Sequence, residues 1–104
     1  MTNYVLTYHG GSGMPEDPKE IEQIMAAWGS WFETMGAAVV DGGNPFGAGA
    51  TLSADGTTAN ERAIDVTGYS IITADSLDAA VSHAKGCPVL EGGGTVQVSE
   101  ALQM

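Results

Sequence analysis

The residues from Tyr4 to Tyr8 alternate, with Tyr4, Leu6 and Tyr8 on one side and Val5, Thr7 and His9 on the other. This period of two, in β-branched and aromatic residues, predicts a strand. Gly10-Gly11-Ser12-Gly13 breaks it. A helix start follows: Asp17 as N-cap, Pro18 at the first helical position and Glu20 three residues after the cap. Ile21, Ile24, Met25, Trp28, Trp31, Phe32 and Met35 then fall on one side of a helix, which Gly36 stops. Ala38 to Val40 is a short second strand, closed by Asp41-Gly42-Gly43-Asn44-Pro45.

From Phe46 to Thr67 the pattern is irregular, with Asp55-Gly56 as a turn and an extra strand segment near Ala50 to Ser53. Gly68 to Thr73 reads as the third main strand. Asp75 is the expected cap of a second helix, whose apolar stripe is Leu77, Ala80, Val81 and Ala84 and which Gly86 and Pro88 end. Thr95 to Ser99 alternates again and forms the last strand. The order strand, helix, strand, strand, helix, strand predicts an α+β fold, the ferredoxin-like βαββαβ antiparallel sheet with two helices on one face, as one domain over residues 1–104. The other face needs a cover, and a symmetric partner sheet is the economical one.

Composition sharpens this picture. Thirteen acids against three bases give a formal charge of -10. Lys19, Arg62 and Lys85 are scattered, so no patch can neutralise phosphates, and neither nucleic acid nor anionic membrane is an expected partner. No apolar run approaches the ~20 residues of a membrane span. Met1-Thr2-Asn3 carries no basic n-region, so a signal peptide is not expected and the expected compartment is the cytoplasm. The single cysteine, Cys87, has no internal disulfide partner. Fifteen glycines and a small core favour help from self-association.

Several residues are candidates for chemistry. His9 ends the first strand beside a glycine run, and a neutral imidazole is the natural general base; an exposed loop histidine is the plainer alternative. Asp41 leaves the second strand and either orients His9 or a substrate hydroxyl, or bonds the backbone of its own turn. His9 and Asp41 end parallel strands at one end of the sheet, with an expected separation of roughly 10 Å across the strand between them. Tyr69 offers a hydroxyl to a cleft or to a structural partner. Trp28 and Trp31 fit core packing by periodicity. His83 and Cys87 have the i, i+4 spacing of a metal pair, but His83 is expected to face water and no metal is expected. The run His9-Gly10-Gly11-Ser12-Gly13 lacks the third glycine of a dinucleotide loop, Glu16 standing there, and is not a nucleophile elbow.

A set of short pieces in order resembles the YCII-related family of dimeric α+β barrel proteins. They are Tyr8-His9-Gly10-Gly11, Trp28-Gly29-Ser30-Trp31-Phe32, Val40 to Pro45, Thr67-Gly68-Tyr69-Ser70, Ala74 to Ala80 and Ala84 to Pro88. The resemblance implies a homodimer whose two sheets face each other around a cleft. It further implies cofactor-free chemistry on small unsaturated acids, as in relatives that act as dehydrochlorinases or isomerases. Some members carry a His–acid pair with the His on the first helix, where this chain has Met25. The Asp-Gly-Pro-Phe signature of another branch is absent from the loop between Phe46 and Thr67.

Two functions are therefore expected. In one, the homodimer binds a small organic acid or phenolic molecule and catalyses proton transfer or elimination without a cofactor. His9 is the base, Asp41 the orienting acid, and Tyr69, Trp31 and Asn44 line the cleft. In the other, the dimer is a non-catalytic binding or regulatory module, accessory to the sigma-factor-linked transcription with which the family is often associated. A third alternative is a dimer with a purely structural role.

Overall fold

A computed structural model describes residues 1–10, 16–60 and 66–103. Most of the glycine run after His9 and part of the irregular stretch before the third main strand, including Arg62, lie outside the described residues. The elements in chain order are β1 (Thr2–His9), α1 (Pro18–Met35), β2 (Val39–Asp41), β3 (Thr51–Leu52), β4 (Thr58–Ala59), β5 (Val66–Ala74), α2 (Leu77–Ala84) and β6 (Thr95–Glu100). Single 3-10 turns sit at Gly36–Ala38 and Pro88–Leu90. Four strands form an antiparallel sheet in the order β2-β5-β1-β6, and β3 and β4 form a separate two-stranded ribbon. The architecture is thus α+β. No helix among the described residues is long and apolar enough to cross a membrane.

The alternation in β1 decides which way the sheet faces. Tyr4, Leu6 and Tyr8 are buried against both helices, together with Ile72 and Ala74 of β5. Both crossovers, β1 to β2 and β5 to β6, join parallel strands, so each carries its helix over the sheet. α1 starts as its sequence dictates. The Asp17 carboxylate accepts from the Lys19 N–H at 3.0 Å, and Pro18 occupies the first turn. Its end also matches: Gly36 takes φ 55°, a conformation that costs a side-chain-bearing residue steric strain.

Packing departs from the helical pattern in three places. Met25 is 60% exposed, and the buried residues of α1, Trp31 and Met35, all lie in its second half. Trp28 is half-buried at the margin, edge-on to Tyr8 and to Trp31. In α2, Ser76 rather than Asp75 is the cap, its hydroxyl accepting from the Ala79 N–H at 3.1 Å. The buried side of α2 is Ala80 and Ala84 with half-buried Ala79 and His83, while Leu77 and Val81 turn outward. Ala80 and Ala84 join Trp31 in the buried core cluster. Hydropathy ranking alone placed Leu77 and Val81 inside.

Candidate functional site

The face of the sheet opposite the helices carries Val5, Thr7 and His9 of β1, Tyr69 and Ile71 of β5, and Gln97 and Ser99 of β6. Val5, Thr7, His9, Tyr69 and Ile71 are each half-buried. The face therefore combines apolar floor with polar groups. Thr7 Oγ1 lies 3.0 Å from His9 Nε2, the two residues being i, i+2 on the same side of one strand. Thr7 pairs across strands with Tyr69. The Tyr69 hydroxyl in turn points to Asp41 Oδ2 at 3.5 Å, a long contact. A row of hydrogen-bonding groups thus crosses three strands, from His9 through Thr7 and Tyr69 to Asp41.

The row does not make a His9–Asp41 pair. Asp41 is in register with Ile71, and Ile71 with Val5, four residues back along β1 from His9. Two strand spacings and four residues of rise put the two backbones about 16 Å apart, more than sheet order alone implied. The physical reason is the register of the short strand β2, which pairs Val39 with Ile72 well before the His9 end of β1; the bulge between Val39 and Asp41 adds one residue to the offset. Asp41 also has local work: its Oδ1 accepts from the Gly43 N–H at 2.8 Å, closing the turn.

That turn is anchored from beneath. The Tyr8 hydroxyl donates to Ser70 Oγ at 2.6 Å, and Ser70 donates to the Gly42 carbonyl at 2.7 Å. Ser70 is fully buried on the helix side, and burial pushes the Tyr8 phenol well above its ordinary range. At Gly43, φ is 76° and an added Cβ would stand 1.7 Å from the Tyr69 carbonyl oxygen. Only glycine allows that approach. Beyond the turn, Asn44 accepts from the Tyr69 N–H through its carbonyl, and Phe46 donates its N–H to the Thr67 carbonyl. Phe46 then stacks on Tyr69, ring centroids 5.7 Å apart, and forms an apolar wall.

The candidates from sequence separate accordingly. His9, Tyr69 and Asp41 share the open face, and Asn44 borders it through its backbone. Trp31 is on the other side of the sheet, buried, with its indole N–H donating to the His83 carbonyl at 2.9 Å. It is a core residue with its polar group satisfied. His83 is half-buried rather than turned to water, and it lines a hollow of about 210 Å³ with Ala38, Thr73, Asp75 and Ala79. Cys87 is buried, and burial pushes its thiol up to about 11, so it is a thiol at neutral pH. Among the described residues no three His, Cys, Asp or Glu side chains gather as a metal site would require.

Three contributors were not singled out from sequence. Thr7 was discoverable, since it lies two residues before His9 on the same face. Ser70 is a single serine within an apolar strand, a position that itself signals a buried hydrogen bond. Phe46 carried no signal, because it stands in the irregular stretch after Pro45. The chain matches no family model, no curated protein and no solved structure.

Proposed function

We propose that the protein is a ferredoxin-like barrel protomer that pairs with a second copy through its open sheet face and holds a small organic acid or phenol between the two sheets. The strand order β2-β5-β1-β6 and both helices on one side support the fold reading. The observation that carries the functional reading is the polar row His9–Thr7 and Tyr69–Asp41, set among Val5, Ile71 and Phe46 on a face that bears neither helix. Ligand sites are concave and largely apolar with a few convergent polar groups, and a second sheet would make this face concave. In the catalytic form of the reading, Thr7 sets the His9 ring and His9 takes a proton from carbon. Tyr69 donates a hydrogen bond to the ligand oxygen. A cofactor has no part in this reading.

A thermal-shift screen with small carboxylates and phenols tests it. A ligand that prefers the folded protein raises the melting temperature by mass action. The expected result is a shift for at least one compound that is lost in His9→Ala and Tyr69→Phe. Shifts that both variants retain would overturn the assignment of the site.

One observation favours the non-catalytic alternative. Asp41 is held by Gly43 and Tyr69 and lies too far from His9 to orient it. The dimer would then be a binding or regulatory module, the sigma-factor-linked accessory role being the form suggested by the family resemblance. Solvent deuterium appearing in a bound carbon acid would favour the enzyme, and binding without exchange the module.

A further inference from the structure

The open face offers hydrogen bonds without offering a lysine or arginine. β1 and β5 contain no Asp, Glu, Lys or Arg. The single acid of β6, Glu100, stands opposite Tyr4 and so belongs to the helix side. Asp41, in register with Ile71, brings the open face of these strands its one carboxylate. Two of the three bases stand elsewhere, Lys19 in the first turn of α1 and Lys85 at the end of α2, both on the helix side of the sheet. The third, Arg62, lies outside the described residues. The chain as a whole carries -10, so the field at this face already opposes an anion. A second copy laid on it, as the reading above has it, would repeat the same groups and add another Asp41.

Donor and acceptor chemistry narrows the ligand further. A carboxylate only accepts hydrogen bonds, and Asp41 likewise. Asp41 is fixed in its turn, its Oδ1 accepting from the Gly43 N–H at 2.8 Å. Its Oδ2 stands 3.5 Å from the Tyr69 hydroxyl, against about 2.7–2.8 Å for an ordinary bond between oxygens. A ligand hydroxyl can serve both atoms, donating to Asp41 and accepting from Tyr69. An ammonium would meet Asp41 but has nothing to accept with. The ring of the exposed Phe46 stacks on Tyr69, and Val5 and Ile71 are half-buried cross-strand neighbours on the same face. This apolar surface suits a planar ring. Enclosing an anion against it without a cation carries a desolvation cost that a neutral hydroxyl escapes by exchanging one hydrogen bond for another.

We propose that the open face selects uncharged phenols and discriminates against carboxylates, the phenol hydroxyl donating to Asp41 and accepting from Tyr69 while its ring lies against Phe46. The inference rests on the open-face reading above and narrows the ligand class which that reading admits. The test titrates the isotope-labelled full chain by NMR at pH 8 with phenol, benzoate and benzylamine. At that pH a phenol, of pKa about 10, is neutral, and a carboxylic acid, of pKa about 4, is ionised. The resonances of Thr7, Tyr69 and Ile71 report the site. The expected result is that phenol moves them with a dissociation constant at least about tenfold below that of either other probe. Asp41→Asn keeps an acceptor for the Gly43 N–H and removes the charge, and should tighten benzoate at least about threefold. Benzoate as weak in that variant as in the native chain overturns the role of Asp41. Benzoate or benzylamine as tight as phenol at these residues overturns the selection and leaves the site standing; loss of such benzoate binding in Arg62→Ala would trace it to that arginine. Phenol that leaves the three resonances unmoved overturns the inference, and the open-face reading falls with it only when the wider screen of carboxylates and phenols is also blank.

Discussion

Replacing Trp31 by alanine removes the largest enclosed side chain of α1. Trp31 is 6% exposed, between α1 and the end of α2, with Gly86 so close that an added Cβ there would lie 3.0 Å from its ring. Burying an aromatic of this size and then deleting it costs about 3–5 kcal/mol, including the cavity left behind. The indole hydrogen bond adds little to the sum, because the His83 carbonyl also receives the Gly86 N–H at 3.4 Å. A domain of this size is stable by about 5–15 kcal/mol, so the loss is a large fraction of the total. A urea titration should show the midpoint falling by on the order of 2 M at ordinary slopes. Trp28→Ala should cost less, about 1–3 kcal/mol, because that ring is half-buried. A Trp31→Ala loss below about 1 kcal/mol, or one smaller than for Trp28→Ala, would refute the placement of α1.

Further outcomes follow from the site and the core. Gly43→Ala should cost about 2–4 kcal/mol in denaturant and speed amide exchange at Tyr69, whose N–H bonds the Asn44 carbonyl; an unchanged exchange rate would contradict the close approach at that turn. Cys87, raised from an ordinary value of 9.0 to about 11, is protonated in the native chain at pH values where the unfolded thiol ionises. Its contribution to stability is thus full below pH 9 and falls as pH rises toward 11, and the fall should shrink in Cys87→Ala. At pH 8 the native thiol should react with a disulfide reagent far more slowly than in urea; equal rates would place Cys87 at the surface.

Much of the fold was legible because strong local signals agreed. The alternation from Tyr4 to His9, the Asp17-Pro18 start and the Gly36 stop each act within a few residues, and each element formed where they put it. The extra strand near Ala50 to Ser53 proved to be half of the ribbon. What failed was tertiary. Leu77 and Val81 are more apolar than Ala79 and Ala80, yet the alanines are the residues turned inward and the larger side chains are exposed. The helical period favoured the core for Trp31 although it was also a candidate for the cleft lining, and its bond to the His83 carbonyl and its burial place it in the core. In the site, membership of one face could be read from period two. Register could not: β2 pairs Val39 with Ile72, which keeps Asp41 far from the His9 end of β1, and no residue type announces it.

The most direct measurement is a two-dimensional NMR titration of the labelled chain with a small carboxylate or phenol that shifts its melting temperature. Saturating ligand should move the resonances of Thr7, His9, Tyr69 and Ile71 together, with those of Ala38, Ala79 and His83 unmoved. Shifts centred instead on the hollow beside His83, with the open face silent, would contradict the assignment of the site.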